Sequence, residues 1–411
     1  MSRLRNLLHG LWLIPGTVAT ALALLGLALV ALDERTDVEA FAGNADAARV
    51  VLSVVAGSLI TVAGLAFSIT VLTLQLVSSQ YTPRAVRSLM GDRTSQVVAG
   101  AFVGIFAYCL VVLRSVREDD VPSLAVTGAI VLGLVGLALL LVFIHHFGQS
   151  IKVDEICARI ARDTLSAIDR LYPERYGEPE STPEAFTGEA TVLAVDRAGW
   201  VRAIAVDRLA TEFGRARSIE MLVAPGDFVT AETPVAAIRP PDAADGRVVA
   251  AVEIARERDL EADVGFGIRQ LADIAVRALS PGVNDPTTAV TCVGYLGAIV
   301  ERLAGKRAPE ADRRFESGPI VRAPGPTFER LVGEAFLEIG RHGQGDPRVV
   351  AAALAALEHV GRVAIDVGAE DRLLAVKAVV TELAGPAIER ARTDRERTEL
   401  ATQAARIRDL A

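Results

Sequence analysis

Three things are scarce in this chain of 411 residues: cysteine (three), lysine (three against 40 arginines) and aromatic side chains (5%). Cys109, Cys157 and Cys292 are too few and too dispersed for a disulfide framework or a cysteine-rich metal site, so they read as thiols. No lysine stands between Lys152 and Lys306. That excludes a lipoyl or biotinyl attachment site, although "VAPGDFVTAETPVAAI" has the turn-and-strand pattern of the small sandwiches that carry such groups. The arginine bias reads as coding composition rather than phosphate recognition, and a net charge of −8 argues against nucleic acid as a partner.

Catalytic signatures are missing as well. There is no metalloprotease helix motif, nucleophile elbow, phosphate-cradling Gly-Lys loop or dinucleotide fingerprint. "VGFG" at Gly265 and Gly267 lacks the third glycine and the preceding strand that a dinucleotide turn needs. His342 and His359 occur singly, and Glu338, one turn before His342, does not make a metal site with it. No enzyme, no metal and no cofactor is expected.

What the chain has in excess is apolar sequence: 51% of residues are hydrophobic, concentrated in the first third. Stretches at about 11–32, 50–77, 96–116 and 124–147 approach or exceed the ~18–20 apolar residues that cross a bilayer. The expected fold is an α-helical membrane protein, four transmembrane helices followed by a cytoplasmic α+β domain. Its divisions are a four-span domain at 1–150, a helical connector and linker at 151–189, a small β-rich unit at 190–252 and a helical domain at 253–411. Arg3 and Arg5, then Arg84, Arg87 and Arg93, then Lys152, Arg159 and Arg162 flank the spans on one side. By the positive-inside rule both termini are expected on the cytoplasmic side of the membrane.

The second span carries Ser58, Thr61, Ser68, Gln75 and Ser79 on one stripe of 3/4 spacing, interrupted by Leu65 and Leu72. Such a stripe faces protein or water rather than lipid. A helix contact is the favoured meaning, and the lining of a narrow watery path in an oligomer is the other. Gly100 and Gly104 in the third span, and Gly128, Gly133 and Gly136 in the fourth, suit close helix packing or self-association. Aspartate, glutamate, lysine and histidine are absent from mid-span, which speaks against a proton pump.

Beyond the spans, apolar residues at Ile151, Ile156, Ile160, Leu165 and Ile168 predict a helix, and "PERYGEPESTPEAFTGEA" a linker. Short runs from "ATVLAVD" to "RVVAAVEI" read as strands, with "DRLATEFGRAR" between them as a short helix capped by Asp207. Nearly everything from 253 onward has helical periodicity and ends in a charged tail prone to fraying.

In "DVGFGIRQLADIAVRALSPGVNDPTTA", Asp263 is placed to cap one helix, and Asp285 with Pro286 to open the next. Asp346 and Pro347 repeat the device. Arg269, Asp273 and Arg277 stand at i, i+4 and i+8, an ordinary ion-pair ladder in one reading. In the other, Arg269, Gln270, Asp273, Arg277, Asn284 and Asp285 converge as a site that holds a small anion or joins subunits.

Three stretches together carry a resemblance: "FSITVLTLQLVSSQYTPRAV", "PGDFV" and "FGIRQLADIAVRALSPGVNDPTTA". In order and spacing the chain resembles the bacterial predicted membrane proteins grouped as domain of unknown function 2254. The resemblance implies a multi-span inner-membrane protein with a cytoplasmic domain and assigns no reaction. It points, by position, to Ser78, Ser79, Gln80, Pro83 and Arg84, and to Arg269, Gln270, Asp273, Arg277, Ser280, Pro281, Asn284, Asp285 and Pro286. The leading expectation is a homo-oligomeric ion-conducting channel or pore in the lipid bilayer, lined by span two and gated by the cytoplasmic domain. The alternative is a membrane-anchored scaffold or envelope-stress sensor without transport, and a hydrolase or transferase ranks third.

Overall fold

The computed structural model describes residues 13–36, 40–80, 93–118, 120–150, 152–172, 178–179, 186–260, 262–306, 312–315 and 318–411. Arg3, Arg5, Pro83, Arg84, Arg87 and most of the proline-rich linker fall outside them, as do the side chains of Ser78, Ser79, Gln80 and Arg93. The chain forms two compact units, Met1–Ile156 and Cys157–Ala411.

The first unit contains α1 (Leu13–Asp33), α2 (Ala45–Gln80), α3 (Arg93–Ser115) and α4 (Ser123–Ser150). Each includes a stretch long and apolar enough to cross a membrane. At 1.5 Å per residue, the 36 residues of α2 extend about 54 Å, well past a ~30 Å hydrocarbon core. Helix α3 is the most enclosed of the four, with Phe102, Ile105, Tyr108 and Val112 buried.

Glycine sets the spacing around α3. A Cβ on Gly100 would lie 2.7 Å from the Pro15 Cα, and one on Gly104 would lie 2.9 Å from the Ala19 Cα. Only hydrogen at these two positions lets α1 approach so closely, the small-residue packing expected of that pair. Gly128 serves a polar contact instead: the Tyr108 hydroxyl donates to the Ala125 carbonyl at 2.8 Å, and a Cβ on Gly128 would stand 2.5 Å from it. At the end of α1, the Asp33 carboxylate accepts from the Leu124 and Ala125 amides at 2.9 and 3.0 Å, satisfying donors of the first turn of α4.

The second unit opens with α5 (Val153–Leu171), most of which belongs to it. There follow β1 (Glu178–Pro179), β2 (Thr191–Ala194), β3 (Gly199–Ile204), α6 (Val206–Glu212), β4 (Ser218–Met221), β5 (Phe228–Val229), β6 (Pro234–Arg239) and β7 (Val252–Ala255). Then come α7 (Val264–Ala278), α8 (Pro286–Gly305), β8 (Asp312–Arg314), β9 (Ile320–Arg322), α9 (Phe328–Gly343), α10 (Pro347–Asp366), α11 (Glu370–Arg390) and α12 (Asp394–Arg408).

One sheet has the order β1-β8-β9-β4-β6-β2, with β4 and β9 parallel, and the other has the order β5-β3-β7. Their shared core holds Val201, Leu209, Ile219, Met221, Val235, Ile238 and Val321. Helices α7 to α12 pack against one another beside it.

Three local expectations change. Asp207 lies in the first turn of α6 and caps nothing, because the helix begins one residue earlier with Ala205 at its cap position. Strands β8 and β9 occupy a stretch read as helical; Val321 is fully buried in the sheet core, and β9 pairs with β4, about a hundred residues away in sequence. The charged tail is a formed helix, opened by a reciprocal capping box between Thr393 and Glu396 and anchored by buried Leu400, Ala404 and Ile407.

Helix α5 is a core element of the second unit. Its buried face is Cys157, Ile160, Ala161, Thr164, Ala167 and Ile168, and Thr164 meets α7 where Gly267 leaves room. A Cβ on Gly267 would stand 2.0 Å from the Thr164 Oγ1. The Asp169 carboxylate accepts from Arg302 at 2.7 Å and pairs with Lys306 at 3.2 Å, fixing α5 to the last turn of α8. Gly267→Ala should therefore destabilise this unit by about 1–3 kcal/mol through overpacking, and Thr164→Ala in the same chain should restore part of the loss. Denaturant midpoints of the two variants check this; a neutral Gly267→Ala would mean that α5 does not sit against α7.

Candidate functional site

Of the residues singled out along α2, Thr61, Ser68 and Gln75 lie on its exposed side and Ser58 at the edge of a groove beside α4. Ser58, Thr61, Ser68 and Gln75 are all exposed, as are Val54, Leu65, Phe67 and Leu72 around them. The hydroxyls turn back on their own helix: Ser58 donates to the Val54 carbonyl, Thr61 to Gly57 at 2.8 Å and Ser68 to Gly64 at 2.9 Å. Back-bonding removes most of the cost of a hydroxyl in an apolar surround. Gly57 and Gly64 lie on the same side with nothing within 4 Å of an added Cβ, so the stripe presents a smooth, small-residue surface outward. Beside it, α2 and α4 enclose an apolar groove of about 560 Å³, in which Ser58 is the polar residue among Val50, Val54, Ile130, Leu134 and Leu137.

In the second unit the chemistry of helix ends organises the other candidates. Asp263 is the N-cap of α7, its Oδ1 accepting from the Phe266 amide at 3.1 Å. Its other oxygen takes the Arg258 Nε at 2.7 Å, and both side chains are nearly enclosed, 4% and 14% exposed. The Arg258 guanidinium also lies 5.6 Å from the Trp200 ring centre and 5.4 Å from that of Phe266. Gly226, at φ +92°, gives way to this pair: a Cβ there would sit 2.7 Å from the Asp263 Oδ2. Gly226 of "PGDFV" thus packs directly against the buried ion pair at the start of α7. Gly226 and Gly265 were its sequence trace, two glycines against one carboxylate. Burial, and then the charge of Asp263, push the Tyr172 hydroxyl up to about 12, so it stays protonated at neutral pH.

The six candidate residues around the corner divide into two groups. Arg269 bridges Asp273 at 2.7 Å and Glu338 of α9 at 2.5 Å. Burial works against its charge, but the Glu338 hydrogen bond and the two carboxylates outweigh it and hold the guanidinium pKa above its ordinary value. Gln270 is buried, 6% exposed, on the core side of the same helix. Glu338 is thereby committed to Arg269, while the His342 Nδ1 lies 3.0 Å from the backbone carbonyl of Glu338.

Asn284 and Arg277 are exposed, and Asn284 adopts φ +50°, the left-handed region an asparagine tolerates. The corner closes through the Asn284 amide to the Ser280 carbonyl at 2.9 Å and the Asp285 amide to the Ala278 carbonyl at 2.8 Å. Both Asp285 oxygens serve Thr288, one accepting from its amide at 3.1 Å and the other from its hydroxyl at 2.6 Å. The corner is built by its own backbone and cap, whereas Arg269 pairs with Asp273 within α7 and with Glu338 of α9. Among the described residues no group of three or more histidine, cysteine, aspartate or glutamate side chains is arranged to hold a metal.

With the fold and these sites in view, the chain is a protein with four helices long and apolar enough to span a bilayer and a second, helical and sheet-containing unit. It belongs to the family described as predicted membrane protein (DUF2254), which matches residues 9–359. Uncharacterized proteins of Mycobacterium bovis and of Mycobacterium tuberculosis are 35% identical to it over 343 residues. The alignment covers 79% of this chain and 66% of theirs, so the chain spans just under two thirds of the relatives it matches. No solved structure matches.

The hydrogen bonds from Thr288 hold the Asp285 carboxyl below the usual aspartate range. Its stabilising contribution is therefore complete above the unfolded-state value of about 3.9 and fades as pH falls through the lower folded value. Asp285→Ala should cost about 1 kcal/mol at neutral pH, the wild-type advantage shrinking in strong acid, whereas Asp285→Asn should keep the cap. Denaturation across pH measures both; an Asp285→Ala penalty independent of pH would contradict the assignment.

Proposed function

We propose that the chain is a homo-oligomeric inner-membrane protein in which α2 helices of neighbouring copies meet along the Ser58, Thr61, Ser68 and Gln75 stripe and line a narrow path for ions. The carrying observation is that this stripe, with Gly57 and Gly64, is exposed in its own unit. The hydroxyls are satisfied by their own helix, but lipid offers the Gln75 amide no partner, whereas water or another copy of the helix does. The groove between α2 and α4 supplies an apolar surface beside the stripe on which a second copy can pack.

Gln75, toward the C-terminal end of the 36-residue α2, marks the polar mouth of the path. The length of α2 supports a mouth that projects beyond the hydrocarbon core. The positive flanks at Lys152, Arg159 and Arg162 support a cytoplasmic place for the second unit. That unit, continuous in sequence with α4 through α5, is the element available to gate the path.

Ion flux through purified full-length protein in liposomes tests this, with Ser68→Leu expected to reduce flux at least tenfold while oligomer size stays the same. Absence of flux under any ionic gradient or voltage, from a confirmed oligomer, would sink conduction and leave a membrane-anchored scaffold or stress sensor.

A further inference from the structure

Cys157 and Cys292 are 135 residues apart in sequence, on α5 and α8, yet their sulfur atoms lie 3.5 Å from each other. Both are fully buried, neither is in a disulfide, and each belongs to the second unit. The third cysteine, Cys109, lies on α3 of the first unit. Two thiols are thus paired and the third is set aside, in a chain that carries few cysteines of any kind.

We infer that Cys157 and Cys292 form a reversible disulfide site, a dithiol that closes under peroxide and clamps the start of α5 to α8. A disulfide needs the sulfurs at about 2.05 Å, so from 3.5 Å they must close by roughly 1.5 Å. Intracellular disulfides of this kind are transient and redox-linked rather than structural. The oxidant is hydrogen peroxide, small enough to enter where bulkier disulfides cannot. One thiol attacks a peroxide oxygen, the O–O bond breaks, and the products are a sulfenic acid and water. The second thiol then attacks the sulfenic sulfur, the S–O bond breaks, and the hydroxyl leaves with a proton as a second water. In sum, two thiols and one peroxide give one disulfide and two waters.

The placement gives the bond a mechanical meaning. The Asp169 pairs with Arg302 and Lys306 already fix the far end of α5 to α8, and Thr164 against Gly267 fixes its middle. Cys157 lies one turn from the beginning of α5, the point at which the chain arriving from α4 joins the second unit. A bond there removes the freedom of that turn to lift away. The dithiol does not depend on conduction and stands whether or not the protein passes ions.

The test uses the full-length protein in detergent, treated with hydrogen peroxide, quenched, alkylated under denaturing conditions and mapped by mass spectrometry. The expected result is loss of two of the three thiols per chain, one cross-linked peptide pair joining Cys157 to Cys292, and recovery of all three thiols with dithiothreitol. Cys157→Ala and Cys292→Ala should each abolish the cross-link. Amide exchange in the first two turns of α5 should slow at least tenfold on oxidation. The site is overturned if peroxide leaves all three thiols intact, oxidises either residue without joining the two, or joins either to Cys109 or to another chain. A bridge that leaves amide exchange unchanged would overturn the clamp.

Discussion

Close approach of neighbouring elements at glycine is the constraint on which the arrangement of helices depends. In the first unit Gly100 and Gly104 let α3 lie against Pro15 and Ala19 of α1. In the second, Gly267 lets α7 receive Thr164 of α5, and Gly226 makes space for the Asp263 carboxylate. Each is a place where one methyl group would push two elements apart, so each fixes a distance that apolar burial alone leaves loose. Against this background Gly57 and Gly64 of α2 stand out: they have the same heptad spacing as the hydroxyls beside them, and nothing within 4 Å. They are the same packing device without a neighbour in their own unit.

The Arg258 and Asp263 pair shows how the second unit is assembled around such a contact. One carboxylate caps α7, binds a guanidinium held near two aromatic rings, and fills the space Gly226 leaves. The result sets where α7 begins, and from there the positions of Gly267 under α5 and of Arg269 opposite Glu338 follow from helical repeat. An ion pair so enclosed adds little net stability, since both charges give up water, whereas removing one partner would leave the other buried and uncompensated.

What was legible in the sequence was local. Caps at Asp263, Asp285 and Asp346 follow from residue type and the prolines after the last two, and the four apolar helices from length alone. The Gly100 and Gly104 contact was legible too, because small residues four apart have few other uses in an apolar helix. What was not legible depended on partners distant in sequence. Strand β9 pairs with β4, Cys157 meets Cys292, and Arg269 chooses Glu338 as well as its own-helix neighbour Asp273; periodicity carries no trace of these. At "SPGVNDP" the structure places a tight corner closed by backbone hydrogen bonds, and it divides the polar residues around it between a helix cap and an interhelical ion pair.

The central claim is that the outward stripe of α2 is where copies of this protein meet. Single cysteines placed in membranes, in a chain whose three native cysteines are alanine, test it directly. Thr61→Cys and Ser68→Cys lie on the stripe; Ile60→Cys and Phe67→Cys have the same heptad spacing and are also exposed, but are turned about 100° away. Oxidation should link neighbouring chains at 61 and 68 and leave 60 and 67 monomeric. Linking at 60 and 67 with none at 61 and 68 would contradict the account.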